Sequence, residues 1–191
     1  MVVEKLRAER EAEFLQSFPD LYQIKFVNLI AIKKTRELEV WTSTQEDERP
    51  KYRKTYSFTG FSGDLGLKLK AGDGQIPEGV YDIEGLNPNS KLHLSIKIAY
   101  PNDSDRKLAS LDGRTDLGGD IFIHGKTFSI GCIPIGDKNI EELFFLIAHV
   151  KPANSSIVIM PVDFRLGNYN NYTGKTLPEK EIYRWIRRAL K

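Results

Sequence analysis

Residues 120–134, DIFIHGKTFSIGCIP, contain the only cysteine of the chain and indicate how the domain is built around it. The segment opens with an apolar run that is typical of a buried strand and that ends in His124. Seven residues separate this histidine from Cys132. Gly125 follows the histidine and Gly131 precedes the cysteine. The pattern predicts a strand and a short loop that folds back, bringing imidazole and thiol within hydrogen-bonding range.

A cysteine is reactive only as a thiolate, and a neighbouring imidazole can act as its general base or as its cationic partner. The carbonyl of Gly125 is free to orient a ring N–H of His124. Gly131 permits an unusual backbone angle, so that the N–H groups of Gly131 and Cys132 can face a developing oxyanion. Spacing alone leaves an alternative open, in which His124 is a satisfied strand-end histidine and Cys132 a small buried hydrophobe.

The composition limits the classes of function. The length of 191 residues fits one domain with appended helices, and 40% hydrophobic residues suffice for a core. A net charge of +2 with mixed signs argues against nucleic-acid binding. A lone cysteine excludes an internal disulfide and a thiolate-rich zinc site. No apolar run reaches about 18 residues, so no transmembrane segment is predicted, and the charged first ten residues show no signal peptide.

The periodicity predicts a mainly β (α+β) fold. A charged helix is predicted over 4–17, and a hairpin turn at 33–36 joins strands 24–32 and 37–42. Further strands are predicted at 54–59, 80–85, 93–100, 120–124 and 155–162. Helices are predicted from Asp137, as N-cap, to Val150 and from Pro178 to Leu190. Asp103 and Asp105 fall in a predicted turn.

This pattern divides the chain into three parts. Residues 1–20 are predicted to be an N-terminal helical extension, 21–166 a predominantly β domain, and 167–191 a C-terminal loop and helix. The Gly-rich stretch 60–79 lacks the Gly-Lys-Ser/Thr ending of a phosphate loop, and we interpret it as loops rather than a nucleotide site.

The segments 123–125, IHG, and 129–133, SIGCI, resemble the catalytic signature of YkuD-type L,D-transpeptidases, and more closely their YafK-like branch. Matching blocks follow one another in chain order at 70–81, 86–90, 99–102, 113–115 and 164–165, so the resemblance covers roughly 25–166. Ile130 replaces a second histidine of the wider family, and the interval from His124 to Cys132 is shorter; both departures resemble the YafK-like branch. Pro134 stands near the cysteine, where the wider family often has Asn or Arg.

The resemblance implies a β-sandwich or barrel-like catalytic domain with one helix, 138–150, after the cysteine and peripheral terminal helices. It implies that Cys132 is the nucleophile, His124 the base and the Gly125 carbonyl the orienting group. The implied partner is a peptidoglycan stem peptide, whose thioester is resolved by an amine or by water. The hydrolytic variants are an L,D-carboxypeptidase and release of a peptidoglycan-anchored lipoprotein. No metal or organic cofactor is implied, and the implied location is the periplasm or cell envelope.

Stem peptides carry carboxylates, for which Arg114 is our first candidate ligand, and Tyr100 and Asn102 are the next. Ser129 is expected to shape the loop through its hydroxyl. Each of these residues also fits an ordinary turn or surface role. Two functions of other classes stay open: a non-catalytic peptidoglycan-binding module, and a cytosolic cysteine hydrolase with another acyl substrate.

Overall fold

The computed structural model describes residues 2–191, and its centre is a sheet of eight strands in the order β3-β2-β1-β8-β4-β5-β6-β7. The strands are β1 Phe26–Ile32, β2 Glu37–Ser43, β3 Lys51–Ser57, β4 Gly79–Asn87, β5 Ser95–Ile98, β6 Phe122–His124, β7 Ile133–Pro134 and β8 Ser155–Met160. The pairs β1–β8 and β6–β7 are parallel, and the other neighbours are antiparallel. The sheet forms a half-barrel, which confirms the mainly β (α+β) prediction.

Helices cover both faces of the sheet. They are α1 Val2–Ser17, α2 Asp103–Leu111, α3 Asp137–Val150 and α4 Leu177–Ala189. On one face, α3 buries eight of its fourteen residues and packs against α1 through the rings of Phe14 and Phe145, whose centroids are 4.8 Å apart. On the other face, Ile182 and Ile186 of α4 join a second apolar cluster with strand residues such as Val158. Within residues 2–191, no helix combines the length and apolarity that crossing a membrane requires.

The helix α2 corrects the predicted turn at Asp103 and Asp105. Asn102 is its N-cap and accepts hydrogen bonds from the N–H groups of Ser104 and Asp105, at 2.9 and 3.1 Å. The Asp105 carboxylate accepts the Asn102 N–H in return, completing a capping box. These residue types favour turns as much as caps, which is why the pattern indicated a turn. The start of α3 also differs from the prediction, since its N-cap is Gly136 and Asp137 is its first residue.

The long Gly-rich connection before β4, residues 58–78, is called the covering loop here because it packs over the segment between β6 and β7. A buried ion pair fixes it to the sheet. The Lys33 ammonium donates to the carbonyls of Gly66 and Ile76, at 2.8 and 3.0 Å, and lies 2.8 Å from the Glu78 carboxylate. That carboxylate also accepts the Gly66 N–H at 2.7 Å and the Tyr183 hydroxyl of α4 at 2.8 Å. The loop therefore has a defined path.

Candidate active site

His124 and Cys132 are brought together by the parallel pairing of β6 and β7. His124 is the last residue of β6, and Cys132 directly precedes β7. The register places Ile123 beside Ile133 and His124 beside Pro134. The pairing therefore places Cys132 immediately before the strand that neighbours His124. The segment between the two residues can be short, because it only has to bring the chain back to the start of the neighbouring parallel strand.

The segment between the two residues is fixed by polar contacts with the covering loop. The Ser129 hydroxyl donates to the Cys132 carbonyl at 2.7 Å and lies 3.0 Å from the Ser62 hydroxyl. Ser62 also accepts the Gly131 N–H at 2.7 Å. The Thr59 hydroxyl donates to the carbonyl of Lys126 at 2.6 Å. Ser129 thus lies where a loop-shaping role places it, and Ser62 is a second such residue that the sequence pattern did not reveal.

Gly131 is required by the backbone directly before the nucleophile candidate. Its φ is +115°, which side chains rarely allow, and a Cβ there would lie 2.9 Å from the carbonyl oxygen of Gln75 in the covering loop. The close approach of these two backbones places Cys132 at a fixed position. The predicted use of the Gly131 N–H as an oxyanion donor meets a difficulty, because that N–H already donates to Ser62. Cys132 N–H is the other donor that the sequence indicated.

The imidazole of His124 is completely buried and has a defined tautomer. Its Nδ1 lies 2.5 Å from the Gly125 carbonyl oxygen. Because a carbonyl only accepts, Nδ1 carries the proton and Nε2 has a free lone pair. Nε2 is buried and makes no hydrogen bond within residues 2–191. Burial lowers the pKa of His124, and the Gly125 carbonyl opposes this in part. The ring is therefore neutral at neutral pH, as a general base requires.

The thiol of Cys132 contacts a backbone carbonyl and makes no hydrogen bond to His124 within residues 2–191. Its Sγ contacts the Asp120 carbonyl oxygen at 3.7 Å. The expected hydrogen bond to His124 is absent from the described residues, and this corrects the expectation of direct contact. A hydrogen bond to Nε2 of His124 therefore requires the thiol to leave the Asp120 carbonyl and turn towards the ring. Burial raises the pKa of Cys132, the Phe122 N–H and the Lys68 ammonium lower it, and Asp120 raises it.

The three predicted substrate ligands all have protein partners. The Arg114 guanidinium is held by the Asp112 carboxylate, at 2.8 and 3.0 Å. Tyr100 is buried and its hydroxyl donates to the Leu117 carbonyl at 3.2 Å, and burial raises its pKa. Asn102 caps α2 and also donates to the Val80 carbonyl at 3.0 Å. A substrate role for these residues stays a prediction.

An open cleft of about 560 Å³ has Asp120, whose carbonyl contacts Sγ of Cys132, in its wall, while Cys132 and His124 themselves are not among its lining residues. Tyr100 and Asn102 line it as well. Lys97 lies between two carboxylates of this cleft, 3.0 Å from that of Glu84 and 3.6 Å from that of Asp120. The cleft thus presents both charge signs to a polar ligand. Within residues 2–191, no cluster of three or more side chains is arranged to hold a metal ion.

Comparison with known proteins gives a match over most of the chain. Residues 28–160 match the family model described as YkuD, the L,D-transpeptidase catalytic domain. YafK of Escherichia coli (strain K12), whose name marks its L,D-transpeptidase assignment as provisional, is 31% identical over 119 residues. YafK of Escherichia coli O157:H7 gives the same values. The aligned part is 61% of this chain and 46% of YafK, so the chain spans about half the length of these curated relatives.

Solved structures show the same fold at low sequence identity. The helical cell shape determining protein Pgp2 from Campylobacter jejuni has a TM-score of 0.54 at 21% identity, covering 80% of this chain and 56% of that chain. Bd1075 of Bdellovibrio bacteriovorus has a TM-score of 0.51 at 17% identity, covering 86% of this chain and 56% of that chain.

Proposed function

The chain belongs to the YkuD family of L,D-transpeptidase catalytic domains, and we propose on this basis that it is a cysteine-dependent enzyme acting on peptidoglycan stem peptides. The observation that carries the proposal is the placement of Cys132 and His124. His124 ends β6 and Cys132 directly precedes the neighbouring strand β7, with Nδ1 of the imidazole held by Gly125 and Nε2 left free. This is the arrangement of a nucleophile and a preoriented base.

In the acylation step, the thiol rotates from the Asp120 carbonyl towards His124, and Nε2 accepts its proton. Sγ then attacks the carbonyl carbon of an L-centre joined to a D-centre. The Cys132 N–H is the candidate donor to the oxyanion of the tetrahedral intermediate. When the intermediate collapses, the bond to the leaving amine breaks and His124 returns the proton to that amine. The stem peptide is then held as a thioester on Cys132.

In the second step, an acceptor attacks the thioester carbonyl and His124 takes the acceptor's proton. The bond between the acyl carbon and Sγ then breaks, and His124 returns the proton to Sγ, which restores the Cys132 thiol. An amine acceptor gives transpeptidation, which is our leading proposal. Water gives hydrolysis, as an L,D-carboxypeptidase or as release of a lipoprotein anchored to peptidoglycan. The observation that favours the hydrolytic alternative is the partial exposure of Cys132, through which water can reach a thioester on its sulfur. Either activity would operate in the periplasm or cell envelope, where peptidoglycan lies.

The experiment that tests the proposal compares wild type and Cys132→Ala on purified muropeptides and on peptidoglycan carrying bound lipoprotein, with products identified by mass spectrometry. Cross-linked or exchanged products that require Cys132 would support the transpeptidase. Shortened or released products that require Cys132 would support the hydrolase. No change on any substrate with either protein would favour a binding module or another acyl substrate, and would contradict the proposal.

A further inference from the structure

One peptide group connects the candidate base to a carboxylate on the other side of the loop. The unit between Gly125 and Lys126 is a single plane that bears the Gly125 carbonyl at one end and the Lys126 N–H at the other. The carbonyl oxygen lies 2.5 Å from Nδ1 of His124. The N–H donates to Oδ1 of Asp137 at 2.8 Å. Whatever fixes the N–H end therefore also fixes the direction of the carbonyl.

Asp137 is itself well fixed. It is the first residue of α3, where the helix dipole favours a carboxylate, and its Oδ2 lies 2.9 Å from the Lys126 ammonium. Burial raises the pKa of the Asp137 carboxyl, but the hydrogen bonds from the Lys126 side chain and N–H outweigh burial and lower the pKa overall. The carboxylate is thus ionised at neutral pH.

The packing around Gly125 leaves no room for a side chain at this position. A Cβ at Gly125 would lie 2.5 Å from Oδ1 of Asp137 and 2.8 Å from the Leu92 carbonyl oxygen. The carboxylate therefore rests directly against the glycine whose carbonyl holds His124. The position after the histidine is a glycine because Asp137 occupies the space of its side chain.

We propose that Asp137 is a positioning residue for His124, acting through the Gly125–Lys126 peptide group. Its negative charge polarises the peptide and strengthens the Gly125 carbonyl as an acceptor for the Nδ1 proton. The same charge supports the imidazolium that forms when Nε2 takes a proton. In a catalytic triad, an aspartate orients the histidine through a direct hydrogen bond. Asp137 orients His124 indirectly, through the peptide group between them. The inference rests on the proposed function only in giving His124 the role of base.

The other charged groups near Asp137 define the background against which it acts. Lys126 faces it from the loop after β6, and His93 faces it from the segment before β5. Nε2 of His93 lies 2.6 Å from a carboxylate oxygen of Glu141 in α3. The side chain whose pKa is to be measured, His124, has only the Gly125 carbonyl as a hydrogen-bond partner within residues 2–191.

The test measures the pKa of His124 by NMR in the substrate-free protein, in wild type and in Asp137→Asn. The asparagine oxygen can still accept the Lys126 N–H, so the substitution removes the charge and keeps the shape. Because a nearby negative charge favours the imidazolium, its removal should lower the pKa of His124. On a substrate of the enzyme, kcat should also fall on the order of tenfold with KM unchanged, because the base is less well oriented and weaker in the transition state. An unchanged pKa would overturn the proposal.

Lys126→Met supplies a second variant with the opposite sign. It removes the ammonium next to Oδ2 but keeps the backbone N–H that donates to Oδ1, so the Asp137 charge becomes less compensated. The pKa of His124 should rise in this variant, and a fall would contradict the proposal even if Asp137→Asn did not fold. Glu179→Gln is the matched control. It removes a first-turn carboxylate from α4, far from the base, and should leave the pKa of His124 unchanged.

These measurements separate the inference from the proposed function. A lowered pKa of His124 in Asp137→Asn, together with no Cys132-dependent activity on any peptidoglycan substrate, would support the positioning role and contradict the function. Cys132-dependent activity, together with the same His124 pKa in wild type and Asp137→Asn, would support the proposed function and contradict the positioning role.

Discussion

Removal of the buried carboxylate of Glu78 should strongly destabilise the protein. The side chains of Lys33 and Glu78 are both 0% exposed, and their ion pair joins β1, the covering loop and β4. Substitution of one partner leaves the other charge buried without compensation. For such a change the expected loss in the free energy of unfolding is about 3–5 kcal/mol.

The contacts of Glu78 support this magnitude. Its carboxylate accepts from the Gly66 N–H, the Tyr183 hydroxyl and the Lys33 ammonium. Hydrogen bonds to a charged group contribute about 1.5–3 kcal/mol each, and the glutamine oxygen of Glu78→Gln can keep part of this set. The loss of the charge and of one or two bonds therefore gives the same range as the loss of a buried partner.

The loss should depend on pH, with a sign that follows from Lys33. Burial lowers the pKa of Lys33, and Glu78 opposes this, so the pKa falls further in Glu78→Gln. The unfolded chain then binds more protons than the folded variant in the alkaline range. Stability of the variant should thus rise with pH relative to wild type, and the deficit should be smaller at about pH 9.5 than at about pH 7.

Urea denaturation at these two pH values measures the effect. The double variant Lys33→Met/Glu78→Gln should be more stable than Glu78→Gln alone, because it leaves no uncompensated buried charge while the glutamine oxygen can still accept from the Gly66 N–H or the Tyr183 hydroxyl. Lys34→Met, at the exposed neighbouring lysine, should stay within about 0.5 kcal/mol of wild type. Two results would refute the reasoning. One is a decrease in the free energy of unfolding below about 1 kcal/mol for Glu78→Gln. The other is a decrease for the double variant that equals the sum of the decreases for Lys33→Met and Glu78→Gln alone.

Three further predictions follow from the site. The rate of Cys132 alkylation by iodoacetamide should rise with pH, and the midpoint pH should lie above that of an ordinary cysteine because burial raises the pKa of the thiol. Lys68→Met should move the midpoint pH higher, because the ammonium lowers the pKa of Cys132. A midpoint pH below that of an ordinary cysteine would be inconsistent with the burial of the thiol. Gly131→Ala should lower the free energy of unfolding, measured by thermal melts, by about 1–3 kcal/mol more than Gly72→Ala does. Gly72 also has a positive φ, but a Cβ there would meet no atom within 4 Å. An equal decrease for the two variants would exclude the backbone clash at Gly131. Burial raises the pKa of the Asp105 carboxyl to about 6, so the stability that its protonated form contributes is lost as pH rises from about 4 to 6. The free energy of unfolding of Asp105→Asn, measured by urea titration, should therefore increase relative to that of wild type over this range. A difference between the two proteins that does not change with pH would contradict this.

Local patterns predicted much of the fold. The hairpin around 33–36, the strand ending in His124 and the helices after Asp137 and Pro178 lie where alternation and capping residues indicate them. The helix α2 was missed because its capping box, built on Asn102 and Asp105, uses residue types that also form turns. The strand β7 was missed because it has only two residues, one of them Pro134, which is too short for any periodicity.

The candidate site was only partly visible in the sequence for a physical reason. The spacing of His124 and Cys132 revealed the pair because both lie on one short segment. Contacts made by residues distant in sequence leave no such pattern, and they include the Ser62 hydroxyl on the Gly131 N–H and the ion pair between Lys33 and Glu78. The direction of the thiol, towards Asp120 rather than His124, depends on side-chain packing that no spacing encodes.

The measurement that tests the central claim most directly is the rate of product formation by wild type and Cys132→Ala on a pool of purified muropeptides, with both proteins shown to be folded by circular dichroism. The account predicts a loss of at least about a thousandfold in Cys132→Ala, because a covalent nucleophile has no substitute in the site. A Cys132→Ala protein that forms the same products at a rate close to that of wild type would contradict it.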